Sequence, residues 1–212
     1  MARRAKRRPG DPAERILHAV LEEAERVGWD ALRLHRVATA IRMPLSELYG
    51  HYRDADAVAE AWLSLADRAM LAAASVPGFA RRPPRDRLER TLLAWLDALA
   101  AHPRATRGML LAKLYPGHPH HLAALVFRLS RTVQWWREAA CLDAPPPRRQ
   151  IEEVALTSLF VAAVARWAGD RSSGHERTRL FVAACLRAAD ALAARLPQDL
   201  RAARSSPDRA RR

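Results

Sequence analysis

"IRMPLSELYGHY", residues 41–52, decides how the chain is read. It has the rhythm of a short helix entered through a turn, with Leu45, Leu48 and Tyr49 spaced three and four apart on one side. A helix of this length either enters the major groove of DNA or serves only to hold a domain together. The residues around it favour a small helical module. "GDPAERILHAVLEEAERVG" opens with Asp11 as N-cap, Pro12 at the first helical position and Glu14 at the third, and stops at Gly28. Ile16, Leu17, Val20, Leu21, Ala24 and Val27 form its apolar stripe. A second helix is expected from about Leu32 to Ile41, the short third from about Pro44 to Gly50, and a long fourth capped by Asp54.

The same punctuation continues to the end. No segment alternates β-branched and polar residues at period two, so the fold class is all-α. "VPGFARRPP", residues 76–84, breaks the helical pattern with three prolines and a glycine and is the expected domain boundary. Beyond it helices are expected at about 85–101, up to near Tyr115, at 118–140, at 148–168 and at 174–195, about nine in all. Ser173 and Glu176 have capping-box spacing ahead of the last. The expected organisation is a basic disordered arm (1–10), a small helical domain with a connecting helix (11–75), a larger helical domain (76–196) and a basic disordered tail (197–212).

Charge is unevenly placed along these 212 residues, whose formal net charge is +13. Residues 1–10 hold Arg3, Arg4, Lys6, Arg7 and Arg8 with no acid, giving +5; residues 195–212 hold six arginines against Asp199 and Asp208, giving +4. Nine of the thirteen charges therefore sit in the two ends, where they either track a polyanion or solvate free chain. Half of the residues are hydrophobic, yet no apolar run is long enough to span a membrane and the first residues are not a signal core. A soluble, cytoplasmic protein is expected. Cys141 and Cys185 stand in apolar contexts without ligand spacing and are expected to be buried small hydrophobes.

"ILHAVLEEAERVGWDAL", "RVATAI" and "LYGHYRDADAVAEAW" resemble the first helix, the helix-turn-helix and the start of the connecting helix of the TetR family of transcriptional regulators. Length and helix count agree over the whole chain. The resemblance makes residues 11–75 a DNA-binding domain and residues 76–196 a ligand-binding and dimerisation domain. It implies a homodimer pairing through its last two helices, a double-stranded operator, and a small effector bound in the second domain. Four positions depart from the family's pattern. Arg42 stands where glycine is usual in the turn, Pro44 where Ser or Thr caps the recognition helix, Glu47 where a small hydroxyl residue often faces DNA, and Ala55 where a lysine begins the fourth helix. "GWDALRLHRVA", "LADRAML", "LDALAAHPRATRGML" and "RWAGDRSSGHERTRLF" are similar to a second family, the lipid-binding accessory proteins of ubiquinone biosynthesis, which share the TetR-like fold.

On this frame Ser46 and Glu47 are the expected base readers, since a carboxylate can accept from the amino group of cytosine. Tyr49, His51 and Arg53 are expected at phosphates, with Tyr49 also packing its ring. Arg33, His35, Arg36 and Arg42 complete the DNA-binding set. In the second domain Trp95, Met109, Leu110, Tyr115, Phe127, Trp135, Trp136, Phe160 and Trp167 are mostly core residues by spacing. The resemblance makes a subset of them the lining of an effector pocket, and the scarcity of acids there implies a hydrophobic or aromatic ligand. Leu156, Leu159, Phe160, Ala163 and Val164, with Leu180, Phe181, Ala184 and Leu192, are the expected dimer stripes. His118, His120 and His121 do not share a helical face, so no metal is expected. The Asp, Ser and His of "DRSSGHE" lack a nucleophile elbow, so neither catalysis nor a cofactor is expected.

Overall fold

The structure, a computed structural model, describes residues 11–114 and 119–193, with the side chains of 119–124 left out. Both basic ends, Tyr115 and the side chains of the histidine cluster lie outside the described residues. Among those described there are nine α-helices and no strand. They are α1 (Pro12–Val27), α2 (Leu34–Ala40), α3 (Leu45–His51), α4 (Ala55–Ala74), α5 (Pro84–Leu99), α6 (Pro103–Lys113), α7 (Pro119–Ala139), α8 (Arg148–Gly169) and α9 (Glu176–Ala193).

Caps account for several of the boundaries. Asp11 Oδ1 accepts from the Ala13 N–H at 3.1 Å, Pro12 occupies the first turn, and Gly28 ends α1 at φ 92°. Asp54 Oδ1 likewise accepts from Ala57 N at 2.7 Å and starts α4. The last cap differs from the capping box expected at Ser173. Asp170 Oδ2 accepts from Thr178 N and Oγ1 at 2.8 and 2.7 Å, and Ser172 Oγ accepts from Arg177 N at 3.2 Å, so a buried carboxylate caps α9.

The described residues fall into two compact units. One comprises the residues up to Ala66 together with Leu99–Leu122; the other comprises Asp67–Ala98 and the residues from Ala123 on. The proline-rich stretch 76–84, expected as the domain boundary, therefore lies wholly inside the second unit. There Gly78, at φ 76°, turns the chain, and Phe79 is the one buried residue of the stretch. α4 is a single helix that supplies residues 55–66 to the first unit and 67–74 to the second.

In the first unit α1, α2 and α3 enclose Ile16, Leu17, Val20, Leu21, Val37, Ala38 and Leu48, and α6 closes the other side of α1. That closure is specific. The Glu25 carboxylate accepts from Arg104 N (3.1 Å) and Ala105 N (2.8 Å), satisfying the free N–H groups at the start of α6. In return the Arg104 guanidinium donates to the carbonyls of Glu25 (3.3 Å) and Arg26 (2.9 Å) at the end of α1. Gly108 lies so close to Trp29 that a Cβ there would stand 2.8 Å from the Trp29 Cβ. Trp62 Nε1 donates to Thr106 Oγ1 at 2.9 Å, and Lys113, buried, reaches Asp56 at 3.3 Å and Glu60 at 3.6 Å.

The second unit packs around Trp95, Trp136, Phe160 and Trp167. On α8 the expected dimer stripe is corrected: Leu156, Phe160 and Ala163 are buried within the unit, whereas Ile151, Val154 and Val161 face outward. On α9 Leu180, Ala184 and Leu192 are exposed as expected, with Phe181 partly covered. Cys141 also departs from expectation. It is exposed, at φ 50°, because it takes the left-handed position that ends α7: its N–H bonds to Glu138 O and that of Leu142 to Arg137 O.

Candidate nucleic-acid interface

The turn between α2 and α3 is a complete helix-ending motif built on an unusual residue. The Arg42 N–H bonds to Thr39 O at 3.1 Å and the Met43 N–H to Ala38 O at 2.9 Å, the paired bonds of a Schellman cap. Arg42, in the position glycine normally takes, accepts φ 53°. Of the two outcomes open for a non-glycine residue there, strain or a reshaped turn, the chain takes the strain. Met43 is buried beneath the turn, and Arg15 Nη2 on α1 donates to Ile41 O at 3.4 Å. The angle between α2 and α3 is thereby fixed from both sides.

α3 is held by one side chain of its own and one residue after it. Leu48 is 1% exposed, while Leu45 and Tyr49, expected beside it, are 51% and 63% exposed. The packing role assigned to the Tyr49 ring belongs instead to Tyr52, half-buried, whose hydroxyl donates to Ala13 O at 3.1 Å and ties the end of α3 to the start of α1. A tyrosine three positions after Tyr49 carried no signal in the sequence, since both follow a leucine-based stripe. Pro44 forms the N-cap of α3 without a side-chain bond; its carbonyl accepts from Glu47 N and Leu48 N.

The consequence is a short helix standing proud of its unit. Ser46, Glu47, Tyr49 and His51 on α3, Arg42 in the turn, Arg53 after the helix, and His35 and Arg36 on α2 are all exposed, so eight of the nine expected residues lie open on the surface of one unit. Arg33 is exposed as well, but its Nη1 donates to the carbonyls of Asp30 (2.9 Å) and Leu32 (2.8 Å), which commits it to the turn before α2. Around α3 the cations Arg36, Arg42 and Arg53 flank a helix whose own acid is Glu47. Cations at the rim of a largely uncharged exposed face suit a duplex, where phosphates lie at the edges of the groove and base edges at its floor.

The residues expected to line an effector pocket are divided. Met109 and Leu110 are on α6 and belong to the first unit, where Met109 is buried. Phe127 and Trp135 are 70% and 55% exposed on α7. Trp95, Phe160 and Trp136 do come together, with Phe160 4.9 Å from Trp95 and 5.9 Å from Trp136 between ring centroids. Their indoles have partners: Trp136 Nε1 donates to Leu88 O and Thr91 Oγ1 at 3.1 Å each, and Trp95 Nε1 to Asp67 Oδ1 at 2.9 Å. Asp67 also accepts from Arg128 (2.7 Å) and Thr132 (3.3 Å), a polar cluster that the sequence reading missed because its members lie on three different helices. Trp167 stacks on His175 at 5.3 Å. A groove of about 330 Å³ runs along α7 and α8, lined by Val126, Val133, Val154 and Thr157 among others. No group of three or more potential metal ligands occurs among the described residues, and no described helix is long and apolar enough to cross a membrane.

No protein-family model and no curated protein matches the chain. Solved structures do. The TetR transcriptional regulator from Nitrosomonas europaea is 34% identical, with a TM-score of 0.77 over 85% of this chain and 99% of that one. A TetR-like transcriptional regulator from Rhodococcus sp. RHA1 is similar at 21% identity, with a TM-score of 0.53 over 87% and 99% of the two chains. A bacterial regulatory protein of the TetR family from Rhodococcus RHA1 stands at 24% identity and a TM-score of 0.51 over 84% and 97%. The last two speak for the fold alone. The likeness to lipid-binding accessory proteins finds no support in these structures.

Proposed function

The chain belongs to the TetR family of helix-turn-helix, DNA-binding transcriptional regulators, and from that premise we propose that it is a homodimeric repressor released from its operator by a small hydrophobic ligand. The observation that carries the DNA-binding half is the exposure of α3, anchored by Leu48 and otherwise bare, between flanking arginines. Arg36, Arg42 and Arg53, with Tyr49 and His51, take phosphates; Ser46 and Glu47 face base edges.

A second copy would cover the outward faces of α8 and α9, where Ile151, Val154, Val161, Leu180 and Leu192 form exposed apolar stripes. Such pairing is isologous and presents two copies of α3 to two half-sites about one helical turn apart, so the operator is palindromic. We assign the effector to the second unit, on the cluster of Trp95, Trp136 and Phe160, with Asp67, Arg128 and Thr132 as polar partners. That cluster is closely packed, so a ligand must part the rings. It controls operator binding only by favouring an arrangement that the DNA does not. α4 supplies residues to both units and is the element through which such a preference would pass. Selection of bound duplexes from a random pool tests the DNA-binding reading: an enriched palindrome is expected, and sequence-blind, salt-sensitive binding alone would remove it.

A further inference from the structure

Gly50 is the residue of α3 for which the fold supplies no reason. It lies inside a seven-residue helix, its φ is not positive, and a Cβ placed on it would meet nothing within 4 Å. Glycine is the poorest helix former after proline, so an exposed helical glycine with open space around it weakens the helix without relieving any contact in this chain.

Its direction gives it a use. At about 100° per residue, Ser46 and Gly50 each lie within roughly 20° of the line opposite buried Leu48, and together they form the outermost ridge of α3. The ridge carries a hydroxymethyl group and a hydrogen. Its two flanks differ in chemistry. Leu45 and Tyr49, both exposed and one turn apart, make an apolar flank, whereas Glu47 and His51 make a polar one.

Resting on the assignment of α3 to the major groove, we propose that the bare Ser46–Gly50 ridge lets the helix backbone sit on the groove floor, and that Leu45 is a specificity-determining residue packing against the 5-methyl group of thymine. A leucine side chain can form no hydrogen bond. Pressed onto cytosine, guanine or adenine, it would strip water from a donor or acceptor and leave that group unpaired, whereas the thymine methyl is the one apolar feature of the major-groove edge. The half-site should therefore hold a thymine under Leu45 whose contribution is its methyl group.

The test uses the full chain and the duplex returned by selection, with each thymine of a half-site replaced in turn by deoxyuridine, which deletes the methyl alone. Burying one such carbon is worth about fourfold in affinity. One position should lose about that much with the wild-type protein and nothing with Leu45→Ala. Gly50→Ala should raise the thermal midpoint yet weaken operator binding on the order of tenfold. An operator indifferent to uracil at every position overturns the proposal alone, as does an equal loss in wild type and Leu45→Ala or an operator affinity untouched by Gly50→Ala. A selection that returns no enriched sequence removes the regulator reading and this proposal with it.

Discussion

Arg42→Gly should make the protein more stable and a weaker DNA binder at once. Arg42 holds φ 53° with the two cap bonds from its own and the Met43 N–H groups intact. An L-residue in the left-handed region carries about 1–2 kcal/mol of steric cost. Glycine removes that cost but loses more chain entropy on folding, about 0.5–1 kcal/mol, leaving a net gain of about 0.5–1 kcal/mol. At this chain length that is a rise of about 2 °C in Tm, read at fixed protein concentration because a dimer's midpoint depends on it. If the guanidinium lies on a phosphate, each lost contact lowers the slope of log affinity against log salt by about 0.9, so a dimer loses about 1.8. Arg42→Ala separates the two effects: it keeps the strain and removes the charge, so its slope falls while its Tm stays near wild type. A destabilised Arg42→Gly would refute the strain argument, and an unchanged salt slope in both variants would refute the phosphate contact.

Three further outcomes are expected. Gly108→Ala drives a methyl to 2.8 Å from the Trp29 Cβ and should cost about 1–3 kcal/mol by urea denaturation; a neutral substitution would mean α6 does not press on Trp29. Burial disfavours the Asp170 carboxylate, yet hydrogen bonds from Ser172 and Thr178 outweigh it and hold the pKa well below the ordinary carboxylate value. A depressed folded pKa gives stability that is present above the unfolded pKa of about 4 and lost as pH falls through the folded one. Asp170→Asn should thus cost about 3 kcal/mol at neutral pH and progressively less under strongly acid conditions; a gap that widens with acid would contradict the sign. Leu180→Glu, on the outward face of α9, should shift the species seen in light scattering from dimer to monomer, and an unaffected dimer would move the interface elsewhere.

The helices were legible because their ends are written in local chemistry. Asp11 with Pro12, Gly28 and Asp54 act within a few residues of themselves, and each does what its type predicts. At Arg42 the resemblance marked only a position where glycine is usual; whether the turn strains or reshapes depends on packing around it, and the φ of 53° appears only in the structure. Faces were legible only where polarity interrupts them. α8 has no charged residue between Glu153 and Arg166, so periodicity could not tell that Phe160 turns inward and Val161 outward. The exposure of Leu45 escaped for a related reason: a leucine one turn from another apolar residue is normally core. What the sequence could not show is long-range pairing. The exchange of caps between Glu25 and Arg104 joins residues 79 apart, and it is this exchange, with Gly108 against Trp29, that holds α6, and Met109 with it, in the first unit.

The claim that α3 reads sequence is tested most directly by the ratio of dissociation constants for the selected palindrome and a scrambled duplex of the same composition at physiological salt. Specific recognition predicts a ratio of about 10³ or more, falling sharply on Glu47→Ala. A ratio near one would mean that the arginines bind phosphates and that α3 reads nothing.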